Sequence, residues 1–223
     1  MKMTKIAFCI AIGLVGAAAN AHENSIRFGI ANIDVRSQSA NFTSNGPAFL
    51  TPQPAGVTVG DATTLLISYS RKINQNVDLE VALGAPPSHN VYGRGMLQPF
   101  GAVAKVKQAG PTVLVNYKFG GEQDKVRPFV GVGINYTHFF DRDSTAAGDL
   151  ASGGPTRIKL SDSWGLAAQA GAVYKLDDRW SVCGSVAMAK VKTDLTATTG
   201  SIERRTTIDF RPVVVTLSLG YSF

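Results

Sequence analysis

The sequence predicts an all-β protein, an eight-stranded antiparallel transmembrane β-barrel with short periplasmic turns and long extracellular loops. In eight segments, apolar residues alternate with small or polar residues, so each segment has one apolar face. The connections between segments alternate between short and long, as they do in outer-membrane barrels. The other face is rich in Gly, Ser and Ala, which suits a narrow lumen. The solvated surface of a soluble β-sandwich, the alternative, would carry more Lys and Glu.

Composition excludes several other classes. The chain has 223 residues, of which 44% are hydrophobic and 17% charged, and it contains two cysteines. The apolar content is too high for a disordered chain, and two cysteines are too few for a disulfide scaffold. After the first 21 residues, no stretch is long and apolar enough for a membrane helix.

The N-terminus is predicted to be a cleaved signal peptide. Lys2 and Lys5 precede an apolar stretch over 6–19, and Ala19-Asn20-Ala21 fits a small-residue cleavage site. A membrane anchor needs about 20 apolar residues, which this stretch lacks. We therefore expect residues 1–21 to be the signal peptide and 22–223 the barrel. The mature chain keeps Cys183 alone and carries a mild positive charge, which suits anionic lipid better than nucleic acid.

The strands are predicted in chain order at 25–35, 63–72, 76–85, 110–119, 127–139, 161–175, 179–192 and 213–223. Their apolar faces are formed by Ile26, Phe28 and Ile30; Leu65, Ile67 and Tyr69; Val77, Leu79, Val81 and Leu83; Val113, Val115, Tyr117 and Phe119; Val130, Val132, Ile134 and Tyr136; Trp164, Leu166, Ala168 and Ala170; Trp180, Val182, Val186 and Met188; and Val213, Val215, Leu217, Leu219, Tyr221 and Phe223.

The connections set the orientation of the barrel. Short turns are expected at 73–75, 120–126 and 176–178, and long loops at 36–62, 86–109, 140–160 and 193–206. Aromatic residues near strand ends are typical of interfacial girdles. The alternation that ends on Leu219, Tyr221 and Phe223 resembles the C-terminal signal by which the barrel assembly machinery recognises its clients.

Charged residues are expected inside the barrel. Eight strands leave an interior just wide enough for side chains, so a water-filled general porin is excluded. Arg27, Asp78, Glu80 and Lys118 have inward parity. Because an unpaired buried charge costs several kcal/mol, we expect these four residues to form a paired polar network.

The first two long loops carry an unusual number of apolar residues. Six of them form a predicted hydrophobic funnel: Phe42, Phe49, Leu50, Met96, Leu97 and Phe100. Exposed apolar patches mark binding sites, so these residues predict capture of hydrophobic solutes. The alternative is that the loops pack on each other as a lid.

Pro86 and Pro87 stand where the third strand ends. Proline has no N–H to give to the β-ladder, so two in succession predict a lateral opening between this strand and a neighbour. A hydrophobic solute would leave through it into the bilayer without crossing the polar lumen. The alternative is that the two prolines merely end the strand.

Catalysis, cofactors and metals are not expected. His89 and Ser88 are neighbours, but a nucleophile also needs a base and an orienting acid within reach. Gly131-x-Gly133 is not followed by a helix, and no His/Cys cluster has metal-ligand spacing. Cys183 is interpreted as a small lumen filler.

Several segments resemble the OmpW family over the whole mature chain. The most specific are 127–136 (RPFVGVGINY) with Phe139-Phe140-Asp141, and 161–171 (SDSWGLAAQAG). Asp177-Asp178-Arg179-Trp180 resembles the third periplasmic turn of the family. Leu83-Gly84-Ala85-Pro86, with His89 close behind, resembles the end of its third strand, and 61–65 (DATTL) is similar to members of the AlkL type.

The resemblance implies an eight-stranded barrel of the bacterial outer membrane that passes small hydrophobic molecules. The expected partners are outer-membrane lipids and lipopolysaccharide, small hydrophobic solutes and the barrel assembly machinery. A non-conducting structural or receptor barrel is the alternative function.

Overall fold

A computed structural model describes residues 23–46 and 54–223. The predicted signal peptide, 1–21, lies outside this range. The strands are β1 (Asn24–Asp34), β2 (Ser37–Ser39), β3 (Thr43–Ser44), β4 (Ala55–Val59), β5 (Ala62–Lys72), β6 (Val77–Gly84), β7 (Ser88–Gly95), β8 (Ala102–Ala109), β9 (Thr112–Lys118), β10 (Val126–Ser144), β11 (Thr156–Leu160), β12 (Ser163–Lys175), β13 (Trp180–Ala189), β14 (Val191–Thr199), β15 (Ile202–Phe210) and β16 (Val213–Ser222). A 3₁₀ turn spans Gln98–Phe100 and helix α1 spans Ala146–Ser152. Neither helix is long enough to cross a membrane.

Eight of these strands close into a ring, which we call the lower barrel. In ring order they are β1, β5, β6, β9, β10, β12, β13 and β16. The ring closes because β16 pairs antiparallel with β1, from Ser25 opposite Ser222 to Asp34 opposite Val213. The predicted eight-stranded antiparallel barrel is confirmed, and its strands begin and end close to the predicted residues.

The outer face of the lower barrel is an apolar band. Residues with outward parity, such as Ile30, Val132, Leu166 and Leu217, are half or more exposed. Aromatic pairs border the band at both ends. Tyr117 packs on Phe119 and Trp180 on Tyr221 at the short-turn end, with ring centroids about 5 Å apart. Tyr136 packs on Trp164 at the other end, at 4.7 Å. This distribution matches a bilayer-spanning surface.

The long connections differ from the expected loops, because most of their residues form strands. We call this part the upper section. Its ladder runs in the order β4, β7, β8, the end of β10, β11, β14, β15 and β2. The remaining gap is bridged by side chains, since the hydroxyls of Ser37 and Ser39 accept hydrogen bonds from Val59 N and Val57 N, both at 2.7 Å. The upper section therefore extends the barrel wall beyond the apolar band.

Prolines and strained residues mark the junction between the two parts. Pro86 and Pro87 separate β6 from β7, and Pro111 separates β8 from β9. Arg36 and Asp141 adopt φ angles of 42° and 46°, which residues other than glycine rarely adopt. These interruptions reset the period-two alternation, which explains why sequence reasoning interpreted the upper strands as loops.

Candidate functional site

The four predicted charged residues meet across the middle of the lumen. The Arg27 guanidinium donates to the Glu80 carboxylate at 3.2 Å, and the two side chains are 6% and 7% exposed. The ammonium group of Lys118 contacts the carboxylate of Asp78, which is also buried. We call these residues, together with Asn116 and Gln169, the polar plug.

Two amides join the ion pairs into one network. The amide nitrogen of Asn116 donates to Asp78 and to Glu80, both at 2.8 Å. The amide nitrogen of Gln169 donates to Glu80 at 2.9 Å and to the Asn116 oxygen at 2.7 Å. Buried charges that are paired and hydrogen-bonded in this way avoid the cost of desolvation without a partner. The bridging role of the two amides depends on strand register, which parity along single strands does not predict.

Strand register and one glycine make room for the polar plug. Asp78 stands opposite Asn116 in the ladder, and Asn116 stands opposite Gly131. A Cβ atom at Gly131 would collide with the side-chain oxygen of Asn116. Glycine is therefore needed on β10 at the level where Asn116 crosses the lumen.

The polar plug divides the lumen into two cavities. Above it lies a cavity of about 200 Å³, which we call the upper cavity, and Arg27, Glu80 and Gln169 form part of its lining. Below it lies a polar vestibule of about 270 Å³ at the short-turn end, whose lining includes Arg27, Asp78 and Lys118. A solute that enters from above therefore meets buried charges before it reaches the vestibule.

Ordered turns border the vestibule at the short-turn end. The carboxylate of Asp177 accepts hydrogen bonds from Trp180 N and Arg179 N, which lower its pKa and fix the turn between β12 and β13. Glu122 contacts Lys72, and this hydrogen bond lowers the pKa of Glu122. Both carboxylates are therefore ionised at neutral pH.

The wall of the upper cavity is mostly apolar. Many of its apolar residues belong to a buried cluster in the upper section that includes Val35, Val91, Val106, Phe139, Leu195, Ile208 and Phe210. Polar wall residues pair with one another: the Asn135 amide donates to the Thr112 hydroxyl at 2.9 Å, and the Thr137 hydroxyl donates to Asn135 at 2.7 Å. The surface offered to a solute is thus largely hydrophobic.

The predicted funnel residues lie beside this wall. Phe42 and Leu97 are buried in the same apolar cluster, and Met96 and Phe100 pack against it. None of these four lines the upper cavity as the structure describes it. Phe49 and Leu50 lie outside the described residues. The wall residues of β14 and β15 were missed, although Val191, Leu195, Ile208 and Phe210 keep period-two spacing.

A seam in the ladder lies between the third and fourth strands of the barrel. Ala82 pairs with Thr112, but the next paired residues are Ser88 and Lys107. Within the described chain, no ladder pair joins residues 83–87 to residues 108–111. The five residues on one side of the seam stand opposite four residues on the other side. Three prolines, Pro86, Pro87 and Pro111, stand in these segments. The register therefore shifts by one residue across the seam.

The opposite edge of the same strand keeps its register. Leu66 is opposite Gly84 and Val59 is opposite Val91, so no residue is gained or lost from β5 and β6 into β4 and β7. No ladder pair joins residues 60–65 to residues 85–90 of the described chain, but Ala85 N donates to Leu65 O and Gly60 N donates to Asn90 O, both at 2.8 Å. The interruption around Pro86 and Pro87 is thus bridged by backbone hydrogen bonds towards the second strand, whereas the register shifts towards the fourth.

The seam borders the upper cavity, and His89 lies at its upper end. Gly84, Pro87, Gln108 and Gly110 line the cavity from both sides of the seam. The Nδ1 atom of His89 lies 2.8 Å from Gly60 O, and Nε2 lies 3.2 Å from the Gln108 amide nitrogen. Burial lowers the pKa of His89 below its usual range, although the hydrogen bond to Gly60 opposes this shift. His89 is therefore neutral at pH 7, and its contact with Gln108 links β7 to β8 across the seam without a charge.

Other chemistry has little support in the described residues. Over residues 23–46 and 54–223, no group of three or more His, Cys, Asp or Glu side chains is placed to hold a metal ion. Cys183 is buried on the wall of the upper cavity.

The last strand places Leu219 and Phe223 on the outer face, with Tyr221 packed between Trp180 and Phe223.

Comparison with known proteins gives a consistent result. The model of the OmpW family matches residues 21–223. Outer membrane protein W of Vibrio cholerae is 33% identical over 227 residues, and the match covers 100% of both chains. Outer membrane protein AlkL of Ectopseudomonas oleovorans is 28% identical over 169 residues, covering 76% of this chain and 70% of that protein.

Among solved structures, the outer membrane protein OprG of Pseudomonas aeruginosa superposes with a TM-score of 0.81. It is 29% identical, and the match covers 91% of this chain and 96% of OprG. The proteins that resemble this chain in sequence and in fold are thus outer-membrane barrel proteins and not enzymes.

Proposed function

The chain belongs to the OmpW family of outer-membrane proteins, and we propose that it takes up small hydrophobic molecules through the upper cavity and releases them laterally into the bilayer. The observation that carries this proposal is the position of the upper cavity. It is apolar, it ends on a layer of buried charges, and it reaches a seam in the barrel wall.

The polar plug supports a route that avoids the lower lumen. A hydrophobic solute that crossed the plug would have to displace the Arg27–Glu80 ion pair and the hydrogen bonds of Asn116 and Gln169. Breaking a buried ion pair costs several kcal/mol, and the solute offers no polar group in exchange. Movement along the apolar wall carries no such cost.

The seam supplies the exit in this proposal. In the described chain, residues 83–87 and 108–111 form no ladder pairs with one another, so parting these two segments requires less energy than parting a paired edge. The exposed apolar residues of the lower barrel continue below the seam, so an escaping solute would enter the hydrocarbon region of the bilayer.

The funnel residues are proposed to form the surface that captures the hydrophobic solute. Phe42, Met96, Leu97 and Phe100 are continuous with the apolar cluster of the cavity wall. Phe49 and Leu50 follow Phe42 in the same connection of the sequence and belong to the same proposed funnel. Movement of these side chains would admit a solute to the upper cavity.

Two further partner classes belong to the proposal. Leu219, Tyr221 and Phe223 are proposed as the signal read by the barrel assembly machinery, and outer-membrane lipids, including lipopolysaccharide, are proposed to surround the apolar band. The alternative function, a non-conducting structural or receptor barrel, shares these partners and predicts no uptake.

Filling the upper cavity tests the uptake function. Ala187→Trp places an indole on the cavity wall, where Ala187 now contributes only a methyl group. We expect cells carrying this variant to take up an alkane such as octane at close to the rate of cells that lack the chain. The measurement is the initial rate of uptake of labelled octane.

The matched control is Ala168→Trp. Ala168 is on the neighbouring strand, one ladder position away, but it faces lipid. This variant should take up octane at the wild-type rate. Equal uptake by wild type, both variants and cells without the chain would favour the structural or receptor barrel.

A further inference from the structure

A row of cations crosses three neighbouring strand connections on the outer surface of the barrel. The register from Met188↔Val213 to Val191↔Phe210 places Lys190 opposite Arg211. The register from Asp34↔Val213 to Ser37↔Phe210 places Arg211 opposite Arg36. Adjacent strands are about 4.8 Å apart, so the three cations span roughly 10 Å. Lys192 follows on the outward face of β14.

The row lies at the upper border of the apolar band. Lys190 has the outward parity of Val186 and Met188, which are exposed, and Arg211 has the parity of exposed Val215. The backbone N–H of Lys190 donates to Leu166 O, and Trp164 is the next outward residue on that strand. Tryptophan is enriched at the level of lipid headgroups. The cations are therefore at the depth where phosphate groups of the outer leaflet lie.

The charges of the row are partly compensated. Arg36 donates to Asp34 at 2.7 Å, and both side chains are about half exposed. Lys190, Lys192 and Arg211 form no ion pair with another residue of the described chain. Asp209 is opposite Lys192 in the ladder and Asp194 follows Lys192 on the same outward face, so carboxylates offset this cation. Arg36 lies beside Asp34 and Asp61. Lys190 and Arg211 therefore carry the uncompensated positive charge of the row.

We propose that Arg36, Lys190 and Arg211 bind the phosphate groups of a phosphorylated glycolipid of the outer leaflet, the lipid A part of lipopolysaccharide. Cations of both kinds suit phosphate, since Arg binds it in a bidentate manner and Lys as a point charge. The acyl chains of the lipid would lie along the exposed apolar residues Met188 and Val215 below the row. This surface would contact the partner lipid proposed above, and its binding does not depend on the uptake route.

The test uses the full mature chain in nanodiscs of zwitterionic lipid with added lipid A. Each cation near an anionic membrane surface contributes about a factor of five, so Lys190→Gln with Arg211→Gln should weaken lipid A binding roughly twenty-five-fold. The control is the double variant Arg157→Gln with Lys159→Gln on β11. Both side chains are exposed, and the control removes the same number of positive charges as the test variant. Lys159 pairs with Thr196, six residues along β14 from Lys190, which is about 20 Å. Native mass spectrometry measures the lipid bound.

We expect the control to bind lipid A as wild type does, and wild type to lose most of its binding when the lipid phosphates are removed. Equal binding by the two double variants, or wild-type binding that does not depend on the phosphates, would overturn the proposal. Heat-modifiable migration in electrophoresis verifies that each variant is folded. Because lipid binding does not require uptake, failure here would leave the uptake proposal standing, and the converse also holds.

Discussion

Uptake of a hydrophobic solute is expected to fall about fivefold when Pro86 and Pro87 are both replaced by threonine. Successive N–H groups of a strand point to opposite edges, and Ala85 N points to the second strand, so the N–H restored at residue 86 faces the seam, where the described residues 83–87 and 108–111 form no ladder pairs with one another. One new hydrogen bond at about 1 kcal/mol would lower the population of the open seam by roughly this factor. The initial rate of octane uptake into cells measures the effect.

The control for this prediction is Pro128→Thr. Pro128 faces lipid on β10 and lies within a continuous ladder, opposite Ala172. Its replacement should leave uptake unchanged. Hydrogen exchange at residue 86 reports whether the new N–H group at the seam is bonded. A protected amide at residue 86 together with wild-type uptake would exclude the lateral exit.

Glu80→Leu is expected to lower the free energy of unfolding by about 3–5 kcal/mol. The substitution leaves the Arg27 guanidinium buried without its carboxylate and removes an acceptor from Asn116 and Gln169. The double variant Arg27→Met with Glu80→Leu should recover most of the loss, because replacing both buried charges by apolar groups is often neutral. Urea unfolding in lipid vesicles measures the three values.

An exposed ion pair provides the comparison. Lys107 and Asp141 are 3.1 Å apart, and their side chains are 45% and 58% exposed. Lys107→Met should therefore change the free energy of unfolding by less than about 1 kcal/mol. If Glu80→Leu matched wild type, or if the double variant were as unstable as the single variant, the buried pair would not be the structural layer described above.

The lower barrel could be predicted because each of its strands has lipid on one face and a narrow lumen on the other. Residues such as Phe28, Val132 and Leu217 face lipid, and their neighbours face a narrow lumen, so the period-two signal is strong. The same parity placed Arg27, Asp78, Glu80 and Lys118 inside. Their meeting at one level followed from strand register, which the structure supplied.

The upper section could not be predicted in the same way. Its strands are short, and they are separated from the lower barrel by Pro86, Pro87, Pro111 and the positive-φ residue Arg36. Each interruption breaks the alternation, so Val91 and Leu195 were interpreted as isolated apolar residues in loops although they form the cavity wall. The prolines were visible in the sequence, but the side of the strand on which the register shifts depends on the pairing with both neighbours.

We expect a hydrophobic solute to occupy the upper cavity above the polar plug. A crystal structure of the chain grown with a brominated alkane would show the position of the solute, because bromine gives an anomalous signal. The expected result is bromine among Phe139, Leu195 and Ile208, above the Arg27–Glu80 pair, and weaker bromine beside Pro87 and Gly110 at the seam. Bromine only in the vestibule below the plug, or only on the outer apolar band, would contradict it.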